Sequence, residues 1–198
     1  MNKINLVYVD DDRDQNISIY LAEEYCYPKY DICYEEISFD NRKGYESLIN
    51  DSRIKEANII LIDSKLFENG RVSGGKFTGE EFKIILKKTL PFIEVIVITQ
   101  NEIEKDYGIL LKYRENKSQE PNQYYAGKLK KALNQAVENV CIYRNISEKL
   151  KKNEDIDKML VERIINSLDG YSLYEELTVK DIDEIITVFK ELQRNQNG

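Results

Sequence analysis

Residues Ile4–Asp12 have the sequence INLVYVDDD, an apolar run that ends in three carboxylates. Four of the first six residues are apolar, and Val and Tyr favour extended strands. An apolar run this short before a charge cluster is typical of a strand buried in a parallel sheet. Because sites in open α/β sheets lie beyond the carboxyl ends of the strands, Asp10, Asp11 and Asp12 are candidate functional residues.

Two later segments repeat the same pattern of an apolar run with a polar end. Asn58–Asp63 has the sequence NIILID, and Glu94–Thr99 has the sequence EVIVIT. If these strands are parallel neighbours of the first, the acidic pair Asp10–Asp11 meets Asp63 and Thr99 at one sheet edge. Tyr30–Phe39 and Gly108–Tyr113 supply two further strands. The sequence therefore predicts an α/β fold with a doubly wound, parallel, five-stranded sheet of the flavodoxin-like type.

Carboxylates gathered at one edge repel each other unless a cation or shared protons compensate their charge. Two unit charges about 4 Å apart repel by about 4 kcal/mol at an effective dielectric constant of about 20. Mg²⁺ suits a small set of hard oxygen ligands, because it keeps several waters and bridges to phosphate. The pattern thus predicts Mg²⁺ as the cofactor at this edge.

The residues at these strand ends resemble the motifs of the receiver (CheY-like) domain of response regulators. The matching residues are the acidic pair Asp10–Asp11 after strand one, Asp63 after strand three and Thr99 after strand four. The resemblance covers the first 140 residues. It implies phosphorelay signal transduction in a two-component system, in which an aspartate accepts a phosphoryl group. The protein would then be a phosphoacceptor signalling protein rather than an enzyme with turnover on a separate substrate.

The resemblance also implies a role for each site residue. Asp63 is the phosphoacceptor, and Mg²⁺ is held by Asp10, Asp11, Asp63 and the backbone carbonyl of Lys65. The Thr99 hydroxyl and a lysine at the end of strand five sense the phosphate. That lysine is Lys112, or alternatively Lys117. The implied donor is a partner histidine kinase or phosphotransfer protein.

Composition excludes several other classes of site. The 198 residues include no histidine, which excludes Ser-His-Asp and Cys-His catalysis, histidine metal sites and a histidine phosphocarrier within the chain. The net charge of −7 argues against broad nucleic-acid binding, which requires a basic surface. The three cysteines lack CxxC spacing, and neither a signal-peptide core nor a membrane span is visible. We therefore expect a cytoplasmic protein with reduced thiols.

Helical spacing of apolar residues predicts the elements between and after the strands. Helices are expected over residues 14–25 and 42–57, after a capping box at Thr78–Glu81, and from Asn122 toward Lys152. Two more, over Asp155–Leu168 and after Thr178, complete a small all-helical extension. We accordingly divide the chain into a receiver-like domain, 1–140, and a helical extension, 141–198. The extension carries 9 Lys and Arg against 12 Asp and Glu. We expect its helices to pack on the receiver-like domain, on a second copy of the chain in a homodimer, or on an effector protein.

Three alternatives to a phosphorylated switch stand beside this interpretation. A pseudo-receiver would serve as a protein-interaction scaffold and never take phosphate. A phosphoryl sink would only drain a kinase, with the extension used for assembly. A haloacid-dehalogenase-like phosphatase would use Asp10-x-Asp12, but Asp14 stands where that family has Thr or Val, and the later acidic pair of that family is not found.

Overall fold

The sheet contains five parallel strands that place their carboxyl ends at one edge. The computed structural model describes residues 3–40, 42–67, 78–100, 109–114, 119–153 and 157–168. The strand order is β2-β1-β3-β4-β5, and every pairing between neighbours is parallel. This order confirms the predicted doubly wound sheet. The strands are β1 Lys3–Asp10, β2 Asp31–Ser38, β3 Ile59–Asp63, β4 Glu94–Thr99 and β5 Ile109–Leu111.

The helices cover both faces of the sheet. The first α-helix continues directly into a π-helical turn, Tyr20–Glu24. The capping box predicted before the fourth helix is present, since Thr78 and Glu81 exchange side-chain to backbone hydrogen bonds. The helices are α1 Gln15–Ile19, α2 Glu46–Ile49, α3 Ser52–Glu56, α4 Gly79–Thr89, α5 Pro121–Gly127, α6 Leu129–Lys151 and α7 Lys158–Leu168.

Alternate residues of the inner strand β1 enter two separate hydrophobic cores. Leu6 and Tyr8 pack with side chains of α1, α5 and α6 on one face of the sheet. Val7 and Val9 pack with side chains of α2, α3 and α4 on the other face. Because successive strand residues point to opposite faces, a run that is apolar at nearly every position is what a sheet covered on both sides requires.

Two of the predicted helices are each divided into two shorter ones. The helix predicted over residues 42–57 is divided because the Asp51 side chain accepts a hydrogen bond from the Arg53 amide and caps a new helix. The helix predicted from Asn122 is divided at Lys128, directly after Gly127, which has a low helix propensity. The single-helix predictions for these two segments are therefore wrong.

The helix α6 continues beyond residue 140, where the predicted domain boundary lies, and contacts the edge of the sheet opposite the carboxylates. Tyr143 Oη donates a hydrogen bond to Glu94 Oε1 at the start of β4, over 3.1 Å. Arg144 donates to the carbonyl of Lys3 and to Asn58 Oδ1. The beginning of the extension is thus attached to the first domain, while the helix predicted after Thr178 lies outside the described residues.

Within the ranges given above, no helix is both long enough and apolar enough to cross a bilayer.

Candidate functional site

Four polar side chains lie buried together at the carboxyl edge of the sheet. Asp10, Asp63 and Thr99 are the last residues of β1, β3 and β4, and Lys112 directly follows β5. The exposed fraction is 1% for Asp10, 6% for Asp63, and 4% for both Thr99 and Lys112. The backbone amide of Lys112 donates to the carbonyl of Thr99 over 2.7 Å, which joins the ends of β4 and β5. These residues, predicted from separate segments, are brought to one place.

Lys112 forms a buried bridge between two carboxylates from different strands. Its Nζ lies 2.8 Å from Asp10 Oδ2 and 2.7 Å from Asp63 Oδ1. Two buried carboxylates this close to one another require a compensating positive charge, and the ammonium group supplies it. Lys117, the alternative lysine, lies outside the described residues.

The bridge determines the ionisation of both partners. Burial raises the pKa of the Asp63 carboxyl, and the charge of Asp10 adds to the rise. The hydrogen bond and charge of Lys112 oppose it, but the net pKa remains above its usual range. Burial disfavours the charged form of Lys112, yet hydrogen bonds to Asp10 and Asp63 outweigh burial and raise its pKa. Lys112 is therefore a charged ammonium at neutral pH.

Three carboxylates at this edge of the sheet lie close enough together to hold one divalent cation. Asp10, Asp11 and Asp63 each offer an oxygen atom, and these atoms lie within 4.8 Å of one another. Asp11 is half-buried, whereas the other two are buried, so the cluster has one side toward solvent. Oxygen ligands with a solvent-facing side suit Mg²⁺, which retains water molecules. The residues present fit the predicted cation.

Asp63 also receives a hydrogen bond from the turn that follows it. The Lys65 amide donates to Asp63 Oδ2 over 2.8 Å, so each oxygen of this carboxylate has a donor within the chain. The turn holds the carboxylate in one orientation, with Oδ1 toward Lys112. The predicted use of the Lys65 carbonyl as a metal ligand stays a prediction.

Asp12 takes no part in the cluster of described carboxylates. It is exposed, and its backbone amide donates a hydrogen bond to Asp10 Oδ1 over 3.0 Å. The Asp10-x-Asp12 pair of the phosphatase alternative would require both carboxylates to face the same reacting group. This geometry does not support the phosphatase alternative.

A tyrosine that the sequence analysis did not single out completes the surroundings of Asp10. The Tyr8 hydroxyl donates to Asp10 Oδ2 over 2.5 Å, two residues earlier on the same strand face. Burial, and then the charge of Asp10, raise the pKa of Tyr8 far above its ordinary value. The hydroxyl therefore keeps its proton and stays a donor. The two-residue spacing from Asp10 was the available signal in the sequence.

Gly79 allows the start of α4 to lie against the backbone of Asp63. Its amide donates to the carbonyl of Ser64 over 2.8 Å. A Cβ atom built on Gly79 would lie 2.5 Å from the Asp63 carbonyl oxygen and 2.9 Å from Ser64 Cα. Both neighbours are backbone atoms that cannot rotate away. The glycine is therefore needed for this close approach.

A Gly79→Ala substitution is expected to lower the free energy of unfolding by about 1–3 kcal/mol, as overpacking does. Urea denaturation measures the change. Gly127→Ala is the matched control, because a Cβ there meets nothing within 4 Å. That control is expected to raise stability by about 0.4–1 kcal/mol through the unfolded state. Equal stability of the two alanine variants would contradict the close approach.

Comparison with known proteins gives structural similarity at low sequence identity. No protein-family model matches the chain, and no curated protein sequence matches it. A two component transcriptional regulator AraC from Clostridium phytofermentans ISDg is similar, with 18% identity, a TM-score of 0.40, and coverage of 72% of this chain and 98% of that one. RcsB from Salmonella enterica serovar Typhimurium, bound to promoter rprA in the presence of the phosphomimetic BeF3-, has 22% identity and a TM-score of 0.38. That match covers 68% of this chain and 98% of the RcsB chain. A structure of two RcsB dimers bound to two parallel DNAs has 18% identity and a TM-score of 0.41. The match covers 86% of this chain and 100% of that one. Because these TM-scores are low, the fold class rests on the strand order, and the site rests on its own geometry.

Proposed function

We propose that the protein is a response-regulator-like receiver that accepts a phosphoryl group on Asp63 and acts as a signalling switch. The observation that carries the proposal is the buried bridge of Lys112 between Asp10 and Asp63 at the carboxyl edge of a parallel sheet. In this bridge the ammonium of Lys112 contacts both the nucleophilic carboxylate of Asp63 and the second carboxylate, that of Asp10. A phosphoryl group arriving there meets both the attacking oxygen and a charge that stabilises its own oxygens.

In the proposed reaction, an oxygen of Asp63 attacks the phosphorus atom of a donor. An Oδ–P bond forms, the donor's bond to phosphorus breaks, and the leaving group keeps that electron pair. The chain contains no histidine, so a phosphohistidine donor must belong to a partner kinase or phosphotransfer protein. With such a donor, the imidazole nitrogen is the leaving atom.

The chain's own residues then hold the product. Lys112 lies 2.7 Å from Asp63 Oδ1, so its ammonium can contact the new phosphoryl oxygens, and Thr99 adjoins it at the end of β4. Asp10, Asp11 and Asp63 would hold Mg²⁺. When bound, Mg²⁺ neutralises charge on the carboxylates and on the phosphoryl oxygens.

The switch would act through the ends of β4 and β5. The phosphoryl group would compete with Asp10 for the ammonium of Lys112. The backbone amide of Lys112 donates a hydrogen bond to the carbonyl of Thr99, so a movement of Lys112 would also move the end of β4. A product that binds one arrangement of these strand ends more tightly shifts the population toward it. The phosphate would in this way change the surface formed by β4 and β5.

The helical extension is the proposed output region. In its described part, four large apolar side chains are exposed, and exposed apolar surface of this kind favours contact with another protein. A second copy of the chain or an effector protein would cover them. These side chains are Ile142 and Ile146 on α6, and Met159 and Leu160 on α7.

The experiment that tests the function is labelling with acetyl phosphate in the presence and absence of a divalent cation. We expect the intact protein to gain the mass of one phosphoryl group with Mg²⁺. We expect no gain after chelation, because the three carboxylates then repel the anionic donor. Intact-mass spectrometry measures both.

Three other outcomes of the labelling experiment would contradict the metal site or favour one of the alternative functions. Labelling that is equally fast with and without a chelator would contradict the proposed metal site. The absence of labelling by acetyl phosphate and by phosphohistidine donors would favour the scaffold alternative. A label that forms but decays without any change in the extension would favour the phosphoryl sink.

A further inference from the structure

We propose that Tyr8 is a positioning residue of the acidic site, one that orients Asp10 and the turn carrying Asp11 for binding Mg²⁺. This inference rests on the proposed function, since it concerns the same cluster of carboxylates. The Tyr8 side chain is 1% exposed, and its hydroxyl lies 2.5 Å from Asp10 Oδ2. A buried hydroxyl at this distance restricts the carboxylate to one rotamer.

The hydroxyl of Tyr8 contacts both ends of the acidic turn. It donates to Asp10 at the end of β1 and accepts a longer hydrogen bond, 3.4 Å, from the amide of Asp14. Asp14 in turn caps α1, because its Oδ1 accepts from the Asn16 amide over 2.9 Å. The turn that carries Asp11 is therefore held between two contacts to a single atom.

The contacts continue from Asp14 back to the residue beside Lys112. Tyr125 of α5 lies with its hydroxyl 3.5 Å from Asp14 Oδ2, and the same hydroxyl accepts a hydrogen bond of 2.9 Å from the Tyr113 amide. Because Tyr113 directly follows Lys112, the contacts form a closed ring. Its members are Lys112, Asp10, Tyr8, Asp14, Tyr125 and Tyr113.

The ring keeps the Asp10 carboxylate oriented for binding a cation. Asp10 Oδ2 accepts from both Tyr8 and Lys112, so the carboxylate keeps its orientation even when Lys112 moves toward another partner. Without the Tyr8 hydroxyl, Asp10 would be oriented at Oδ2 by the Lys112 ammonium alone. Removal of a hydrogen bond that orients a metal ligand lowers metal affinity by about ten- to hundredfold.

The test is the Mg²⁺ affinity of Tyr8→Phe, measured by calorimetry and by the shift of the Lys65 amide signal in NMR spectra. We expect binding about tenfold weaker than in the wild type, with the circular dichroism spectrum unchanged. Tyr25→Phe is the matched control. Tyr25 is buried on the same face of the sheet, but its hydroxyl contacts Asn134 Oδ1 at 3.3 Å, away from the carboxylates. We expect wild-type affinity for that control.

An Asp10→Ala background, which removes the acceptor of the Tyr8 hydrogen bond, separates positioning from a general structural role. If Tyr8 acts through Asp10, Tyr8→Phe should have little further effect on Mg²⁺ affinity in this background. An equal loss in both backgrounds would overturn the inference, as would unchanged affinity of Tyr8→Phe alone. Failure of the wild type to bind Mg²⁺ would overturn the proposed metal site as well, which distinguishes the two failures.

Discussion

Replacing Asp63 by asparagine is expected to abolish phosphorylation by acetyl phosphate completely while leaving the fold intact. Asparagine has nearly the shape of aspartate, but its amide lacks the anionic oxygen that attacks phosphorus. Lys112 keeps Asp10 as its partner at 2.8 Å, so the variant retains one of the two buried ion pairs. Intact-mass spectrometry after incubation with Mg²⁺ measures the loss, and circular dichroism checks the fold.

Asp12→Asn is the matched control for this prediction. Asp12 lies two residues beyond Asp10 but is exposed and outside the carboxylate cluster. The same chemical change at that position should leave the labelling rate close to that of the wild type. If Asp63→Asn is labelled as fast as the wild type, another residue accepts the phosphoryl group and the assignment is wrong.

A Lys112→Met variant is expected to lose about 3–5 kcal/mol of stability at neutral pH, because removing one partner leaves buried charges uncompensated. Methionine has a similar length and no charge, so packing changes little. The two carboxylates of Asp10 and Asp63 would then face each other without the ammonium that lies between them. Urea denaturation monitored by circular dichroism measures the change in the free energy of unfolding.

The destabilisation of Lys112→Met should depend on pH in a direction set by Asp63. The pKa of this carboxyl is raised by burial and by Asp10, and Lys112 opposes the rise. Without Lys112 the folded-state pKa must rise further. A raised carboxyl pKa favours the folded state below the unfolded-state pKa, and this contribution is lost as pH rises through the folded-state value. The variant should therefore lose least stability in mild acid and most above neutral pH.

Mg²⁺ should restore part of the stability of Lys112→Met, because a bound divalent cation compensates the same carboxylates. Lys130→Met, on the exposed side of α6, is the matched control and should change stability by less than about 0.5 kcal/mol. A loss for Lys112→Met no larger than that of the control would show that the bridge contributes nothing to the folded state.

Three of the five strands, β1, β3 and β4, could be predicted most directly from sequence because each carries a strong local signal. The apolar runs before Asp10, Asp63 and Thr99 are short, nearly continuous and bounded by polar residues. In a parallel sheet, that pattern places the three polar ends at one edge whatever the loops do. The role of Lys112 was more difficult to predict, because β5 has only three residues. The burial of Lys112 also depends on contacts with Asp10 of β1 and Asp63 of β3, which are distant in sequence.

Three features of the fold and the site could be recognised only in the three-dimensional structure. The division of the helix predicted over residues 42–57 depends on one side-chain cap at Asp51, which is a weak signal beside a continuous apolar stripe. The contact of Tyr8 with Asp10 depends on a hydroxyl that points along a buried strand face, where tyrosine and valine give the same apolar pattern. The ring through Tyr125 joins residues far apart in sequence, so no local pattern predicts it.

The most direct measurement locates the phosphoryl group on the wild-type chain. After labelling with acetyl phosphate and Mg²⁺, borohydride reduces an aspartyl phosphate to homoserine, and trypsin then cuts after lysine and arginine. Residues 56–65 leave as one peptide in which Asp63 is the only aspartate, whereas Asp10, Asp11 and Asp12 leave together in residues 4–13. The account predicts homoserine at position 63 and unmodified aspartates in the other peptide. Homoserine at position 10, 11 or 12 with none at 63 would contradict it.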